Sequence, residues 1–91
     1  MFYVYVLVSD KKEKYVGYTS DLRKRLLSHN SDRNISTKNQ KWKLAYYEAF
    51  HSESDARKRE IKLKHHGRSK QILFERIDSS LSDLGAGEAL K

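Results

Sequence analysis

The chain opens on an unbroken run of apolar and aromatic side chains, Phe2-Tyr-Val-Tyr-Val-Leu-Val8. Its β-branched and aromatic content is that of a strand buried on both faces. Ser9 to Glu13 is polar and turn-like, and Lys14 to Thr19 reads as a second strand, so the two make a hairpin. Alternate residues of a strand share a face. Tyr3, Tyr5 and Leu7 therefore point one way, and Tyr15, Gly17 and Thr19 share a face of their own strand.

Beyond the hairpin the period changes. Ser20 or Asp21 caps a helix running from Asp21 to about Asn30, with Leu22 and Leu26 on its buried stripe. Arg25 and His29 lie four apart and share a face of that helix. Ser31 to Gln40 is polar and aperiodic, a loop. Trp42 to Phe50 reads as a third strand with Leu44, Tyr46 and Phe50 on one face. Ser52 or Ser54 caps a second helix over roughly 53–65, which Gly67 breaks. A third helix over about 69–78 is expected to bury Ile72, Leu73 and Ile77. Residues 79–91, with Gly85-Ala-Gly87 and few large apolar side chains, read as a frayed tail or a weakly docked turn. The order ββαβαα predicts an α/β fold: one domain over 1–78, a small three-stranded, mostly antiparallel sheet flanked by helices, followed by the 79–91 tail.

Composition narrows the class. Ninety-one residues allow one modest core. The chain has no cysteine, which excludes a disulfide framework, a thiolate metal site and a cysteine nucleophile. The longest apolar run falls far short of the ~20 residues that span a bilayer, and it lacks the flanks of a signal peptide. A soluble cytoplasmic protein without a membrane partner is the expectation. The net charge of +7 favours polyanionic partners. Within 57–70 stand seven bases and one acid, Glu60. That imbalance exceeds what solubility asks of a solvated helix face.

Three constellations carry candidate chemistry. Glu60 lies on the helical face defined by Ala56 and Leu63. It either pairs with Arg57 or Lys64, or serves as ligand to a hard cation such as Mg²⁺, which uses one or two carboxylates and fills its other positions with water and phosphate oxygen. Arg25 and His29 are either plain surface residues or a phosphate-binding donor fork with a proton-moving imidazole one turn later. The six tyrosines are amphipathic sheet residues or reacting hydroxyls. His65 and His66 are adjacent and split across two faces, a poor spacing for one metal.

Tyr3-Val4-Tyr5 followed by Tyr15-Val16-Gly17 resembles the two-strand signature of the GIY-YIG nuclease superfamily. Tyr3 and Val4 replace the Gly and Ile of the name, while Tyr5 is kept. Arg25 stands ten residues after Tyr15, where the family places its essential arginine, and His29 follows at the family spacing. Ala56-Arg-Lys-Arg-Glu60-Ile-Lys62 resembles the helix bearing the family's metal-binding glutamate. The resemblance implies a Mg²⁺- or Mn²⁺-dependent endonuclease that hydrolyses DNA phosphodiesters, with RNA left open as a substrate. It implies Tyr5, Tyr15, Arg25, His29 and Glu60 as catalytic residues and Glu60 as the metal ligand. Either Tyr5 or Tyr15 is the general base. Tyr18 stands where some relatives carry a lysine, three residues after the second tyrosine. Arg57, Lys62, Lys64, Arg68, Lys70 and Lys38 are expected to bind nucleic acid. With no separate recognition domain in this length, specificity is expected to rest on DNA shape, as in repair or processing, or on a protein partner. The alternative is a nucleic-acid-binding module of the same fold with little or no cleavage activity.

Overall fold

A computed structural model describes residues 1–31 and 40–85. Three strands, β1 (Phe2–Ser9), β2 (Lys14–Thr19) and β3 (Trp42–Phe50), form one sheet in the order β2-β1-β3. Both pairings of the central strand are antiparallel. The helices are α1 (Leu22–His29), α2 (Glu53–His65), α3 (Gly67–Arg76) and α4 (Asp78–Asp83). Among the described residues no helix is long and apolar enough to cross a membrane.

The hairpin turn is closed by Ser9, whose buried hydroxyl accepts from the backbone N–H groups of Lys11 and Glu13 at 3.1 and 3.0 Å. Lys12 takes the left-handed conformation that completes the turn, φ 67°. At the start of α1, Asp21 accepts from the Lys24 N–H at 3.1 Å, the N-cap expected of it.

Because β1 is central, both of its faces are buried. Val4, Val6 and Val8 join Val16, Ala56, Leu63, Leu73, Ile77 and Leu81 in a core under α2, α3 and α4. Tyr5 and Leu7 join Trp42, with Tyr15, Leu22, Leu26 and Leu44 around them, in a second core under α1. Each fully buried aliphatic side chain contributes on the order of 1.5–3 kcal/mol.

Four local expectations change. Leu44 and Tyr46 do not share a face, because the register with β1 shifts between Val6 and Leu7 and leaves Ala45 as an extra residue. This bulge puts Leu44 under α1 and Tyr46 and Phe50 under α2–α4. Ile72 is 45% exposed, since the buried stripe of α3 and its continuation is Leu73, Ile77, Leu81, and Ile72 sits one residue, about 100°, off it. The chain from Ser79, read as frayed or weakly docked, is helical to Asp83 and buries Leu81. The second helix ends at His65 as expected, but Gly67 is not its breaker: the extended residue is His66, and Gly67 opens α3 two residues earlier than expected.

Candidate active site

The α1 side of the sheet gathers most of the residues singled out above. Tyr5 projects from the middle of β1 and is 1% exposed. Its cross-strand partner is Gly17, and the phenol ring lies over that position. A Cβ on Gly17 would fall on the Tyr5 hydroxyl and stand 2.9 Å from the Tyr15 ring, so only glycine leaves room for the two rings. The glycine of the second signature element is thus a steric requirement of the first.

Arg25 and His29 share one face of α1 and meet at Tyr5. The Tyr5 hydroxyl lies 2.8 Å from His29 Nε2, and Arg25 Nε–H donates to it at 3.3 Å. With the guanidinium donating, the hydroxyl's own proton is directed at Nε2 in the tautomer that leaves this nitrogen bare. Tyr15 stacks beside Tyr5 at a centroid distance of 6.3 Å and meets the His29 ring edge to face at 4.7 Å. Trp42 closes the cluster 6.1 Å from Tyr15. Asn30, just past α1, fixes that wall: its amide donates to the Trp42 carbonyl at 2.9 Å and accepts from the Trp42 N–H at 2.6 Å.

These contacts set the protonation states. Burial pushes the Tyr5 hydroxyl up to about 12; the neighbouring Arg25 pulls against this, and the charges of Tyr15 and Glu60 add to it. Burial, and then the positive charge of Arg25, push His29 down to about 4. At neutral pH the pair is therefore a neutral phenol against a neutral imidazole. The hydrogen bond to Tyr5 raises Arg25 further, with Tyr15 adding to the effect.

Glu60 reaches this group from α2. Its charge is felt at the Tyr5 hydroxyl, and its side chain is 20% exposed. Lys64, one turn on, holds the Glu60 carboxylate at 3.1 Å and stands 5.4 Å over the Tyr15 ring. Among the described residues no group of three or more His, Cys, Asp or Glu side chains gathers as a metal cage would. A lone hard carboxylate facing a cation is the donor set that suits Mg²⁺, which keeps most of its coordination for water and phosphate. In this structure the cation that faces the Glu60 carboxylate is the Lys64 ammonium.

The structure brings Tyr5, Tyr15, Arg25, His29 and Glu60 together, with Lys64 beside them, and scatters the rest. Arg57 pairs with Glu53 at 3.0 Å and lies over the Tyr18 ring. Tyr18 itself points to the opposite face of β2 from Tyr15, into the α2 side. Lys62, Arg68 and Lys70 form no ion pair among the described residues. Lys38 lies outside the described residues. Gly17, Asn30 and Trp42 support the site without having been singled out for it. Direct opposition to Tyr5 would have marked Gly17 once the hairpin register was known, whereas Asn30 and Trp42 meet across a loop that gives no sequence signal.

A family model described as the GIY-YIG catalytic domain matches residues 1–72. The chain is 35% identical over 74 residues to a UPF0213 protein of Bacillus pumilus, covering 79% of this chain and 76% of that one. It is 33% identical over 72 residues to a UPF0213 protein of Staphylococcus saprophyticus, covering 77% and 88%. A UPF0213 protein of Streptococcus pyogenes is 41% identical over 56 residues, covering 59% and 61%. No solved structure matches the chain.

Proposed function

From the premise that this chain belongs to the GIY-YIG catalytic-domain family, a nuclease superfamily, we propose that it is a divalent-metal-dependent endonuclease acting on DNA phosphodiesters. One observation supports this above the others: a single buried hydroxyl, Tyr5, meets both a fixed cation, Arg25, and a neutral imidazole, His29. A structural tyrosine needs one partner. Two partners of opposite proton-handling character suit a hydroxyl that moves a proton beside a phosphate.

Glu60 would hold Mg²⁺ or Mn²⁺. The bound ion supplies Lewis-acid stabilisation of charge developing on the phosphate. Arg25 stands between the Tyr5 hydroxyl and the open groove beside α1, where its guanidinium receives a phosphate oxygen and stabilises the charge of the transition state. Tyr5 accepts the proton of the attacking water while passing its own to His29 Nε2. A phenol at about 12 does not lose its proton unaided, so the imidazole behind it is essential to this step. Phosphate binding offsets the Arg25 charge that helps hold His29 down, which prepares the imidazole to accept. Tyr15 packs on His29, helps hold Arg25 and fixes both.

Low sequence specificity, with targets chosen by DNA structure during repair or processing or by a protein partner, completes the proposal. The Glu60–Lys64 ion pair favours the second reading, a binding module whose carboxylate is already satisfied. Incubating duplex, branched and single-stranded DNA with Mg²⁺ or with EDTA separates the two, using the wild type, Glu60→Ala and Arg25→Ala. Mg²⁺-dependent nicking lost in both variants supports the enzyme. Nicking that survives both substitutions sinks the site assignment, and binding without nicking on every substrate favours the module.

A further inference from the structure

The α1 face of the sheet is covered over Leu7, Leu44 and Trp42 and open at its other end. Tyr47 is 51% exposed there, Ala49 is exposed, and Tyr3 and Thr19 are half-buried. Strand pairing sets Tyr47 directly opposite Tyr5, and Tyr3 directly opposite Thr19 and Ala49. All of these residues project on the side of Tyr5, because the bulge at Ala45 reverses the alternation of β3 and brings Tyr47 round to it. The rings of Tyr3 and Tyr47 meet edge to face at 5.8 Å. Neither hydroxyl bonds another described side chain.

A single exposed aromatic needs no explanation. Two in contact, one two residues along β1 from Tyr5 and the other directly across from it on β3, form a step that begins where the site opens. From Thr19 an open groove of about 590 Å³ continues along α1 past Arg25, Lys24, Ser20, Ser28 and Leu27. Asp21 also lines the groove, its carboxylate taken up in capping α1; the two cations and the hydroxyls suit a sugar-phosphate backbone, and the aromatic step suits a base carried on that backbone.

We propose that Tyr3 and Tyr47 stack an unpaired nucleobase of the strand whose phosphate sits at Arg25, so that the bound segment is single-stranded or locally unpaired. The proposal rests on reading this face as the nucleic-acid site and adds to it the state of the substrate. Every base offers a π-face, so stacking selects unpaired DNA without selecting sequence. A base within a duplex keeps both faces against its neighbours and leaves the step unused.

The test is run in EDTA, so that it reads binding alone and is independent of cleavage. Fluorescence anisotropy compares a short labelled oligothymidylate with a blunt duplex of equal length. Tyr47→Ala and Tyr3→Ala are expected to weaken single-strand binding about fivefold or more, leave duplex binding within about twofold, and leave the salt slope unchanged because no phosphate contact is lost. Tyr47→Trp is expected to restore single-strand affinity, which separates stacking from misfolding. A 2-aminopurine in the oligonucleotide should be quenched on binding to the wild type and less so to Tyr47→Ala. Unchanged single-strand affinity in both alanine variants, an equal loss on duplex, or unquenched 2-aminopurine would overturn the proposal. The nuclease reading stands or falls separately, on Mg²⁺-dependent nicking lost in Glu60→Ala and Arg25→Ala.

Discussion

Gly17 faces Tyr5 across the hairpin, and the space a Cβ would take is filled by the Tyr5 hydroxyl. That hydroxyl has nowhere to retreat, because His29 and Arg25 hold it from α1. Gly17→Ala is therefore expected to displace the phenol, destabilise the fold by about 1–3 kcal/mol as overpacking does, and reduce any nicking as strongly as Tyr5→Phe. Gly67→Ala is the control: nothing lies within 4 Å of the added methyl, so stability should be unchanged or raised by up to about 1 kcal/mol. Denaturant unfolding of both variants checks the contrast, and equal effects would contradict it.

Much of this site was legible because its parts sit on regular elements. Helical spacing put Arg25 and His29 on one face, and strand alternation put Tyr15 and Gly17 together, so motif spacing became geometry without knowledge of the loops. Legibility failed where one residue changed the phase. Ala45 is an extra residue in β3, and no alternation pattern announces it; simple alternation therefore puts Leu44 and Tyr46 on one face and gives no sign that Tyr47 lies beside Tyr5. The stripe of α3 runs through Leu73 and Ile77 into Leu81, so its true phase depends on α4, which looked like tail. Charge counting alone also does not show that Arg57 pairs with Glu53 one turn earlier, or that Arg59 pairs with Glu48 of β3.

His29 is fully buried among Tyr5, Tyr15, Trp42 and Arg25, with its pKa pushed down to about 4 by burial and by Arg25. The unfolded chain takes up a proton at ordinary histidine pH, near 6.5, while the folded chain resists until about 4. Between these values the unfolded state binds more protons, so stability is complete above about pH 6.5 and falls as pH drops toward 4. The loss reaches about 3 kcal/mol on this linkage. Urea unfolding at pH 7 and pH 4.5 should show it in the wild type, and His29→Gln should flatten the difference. A stability profile flat between these pH values in the wild type would contradict the buried neutral imidazole.

Lys64 competes with any cation for the Glu60 carboxylate. An i,i+4 pair of this kind, with a half-buried carboxylate and an exposed lysine, is worth only about 0.3–0.5 kcal/mol, so it tunes occupancy and does not forbid it. Lys64→Met should therefore tighten Mn²⁺ binding about twofold by titration calorimetry, while Glu60→Gln abolishes it. Mn²⁺ affinity that is indifferent to Glu60→Gln would place the ion elsewhere.

Arg59 and Lys62 are both bases of α2, yet they are expected to behave differently. Arg59 binds Glu48 through two nitrogens, with Nε at 2.9 Å and a terminal NH₂ at 2.8 Å, and Tyr46 donates to the same carboxylate at 2.7 Å. Glu48 is half-buried; burial works to raise its pKa, and the bonds from Arg59 and Tyr46 outweigh it and hold the carboxyl below the ordinary value. Arg59→Ala leaves that carboxylate without its counter-charge and should cost about 1–2 kcal/mol of stability. Because the charge of Arg59 is already satisfied, its loss should leave the salt dependence of DNA binding unchanged. Lys62 is exposed and has no ion pair among the described residues, so its loss should do the reverse. Lys62→Ala is expected to leave the unfolding midpoint in place and reduce the slope of log K against log salt by about 1. Anisotropy titrations over a salt series, set beside unfolding curves for the two variants, read both quantities. A slope that falls with Arg59→Ala and holds with Lys62→Ala would mean that the DNA lies along the Glu48 side of α2.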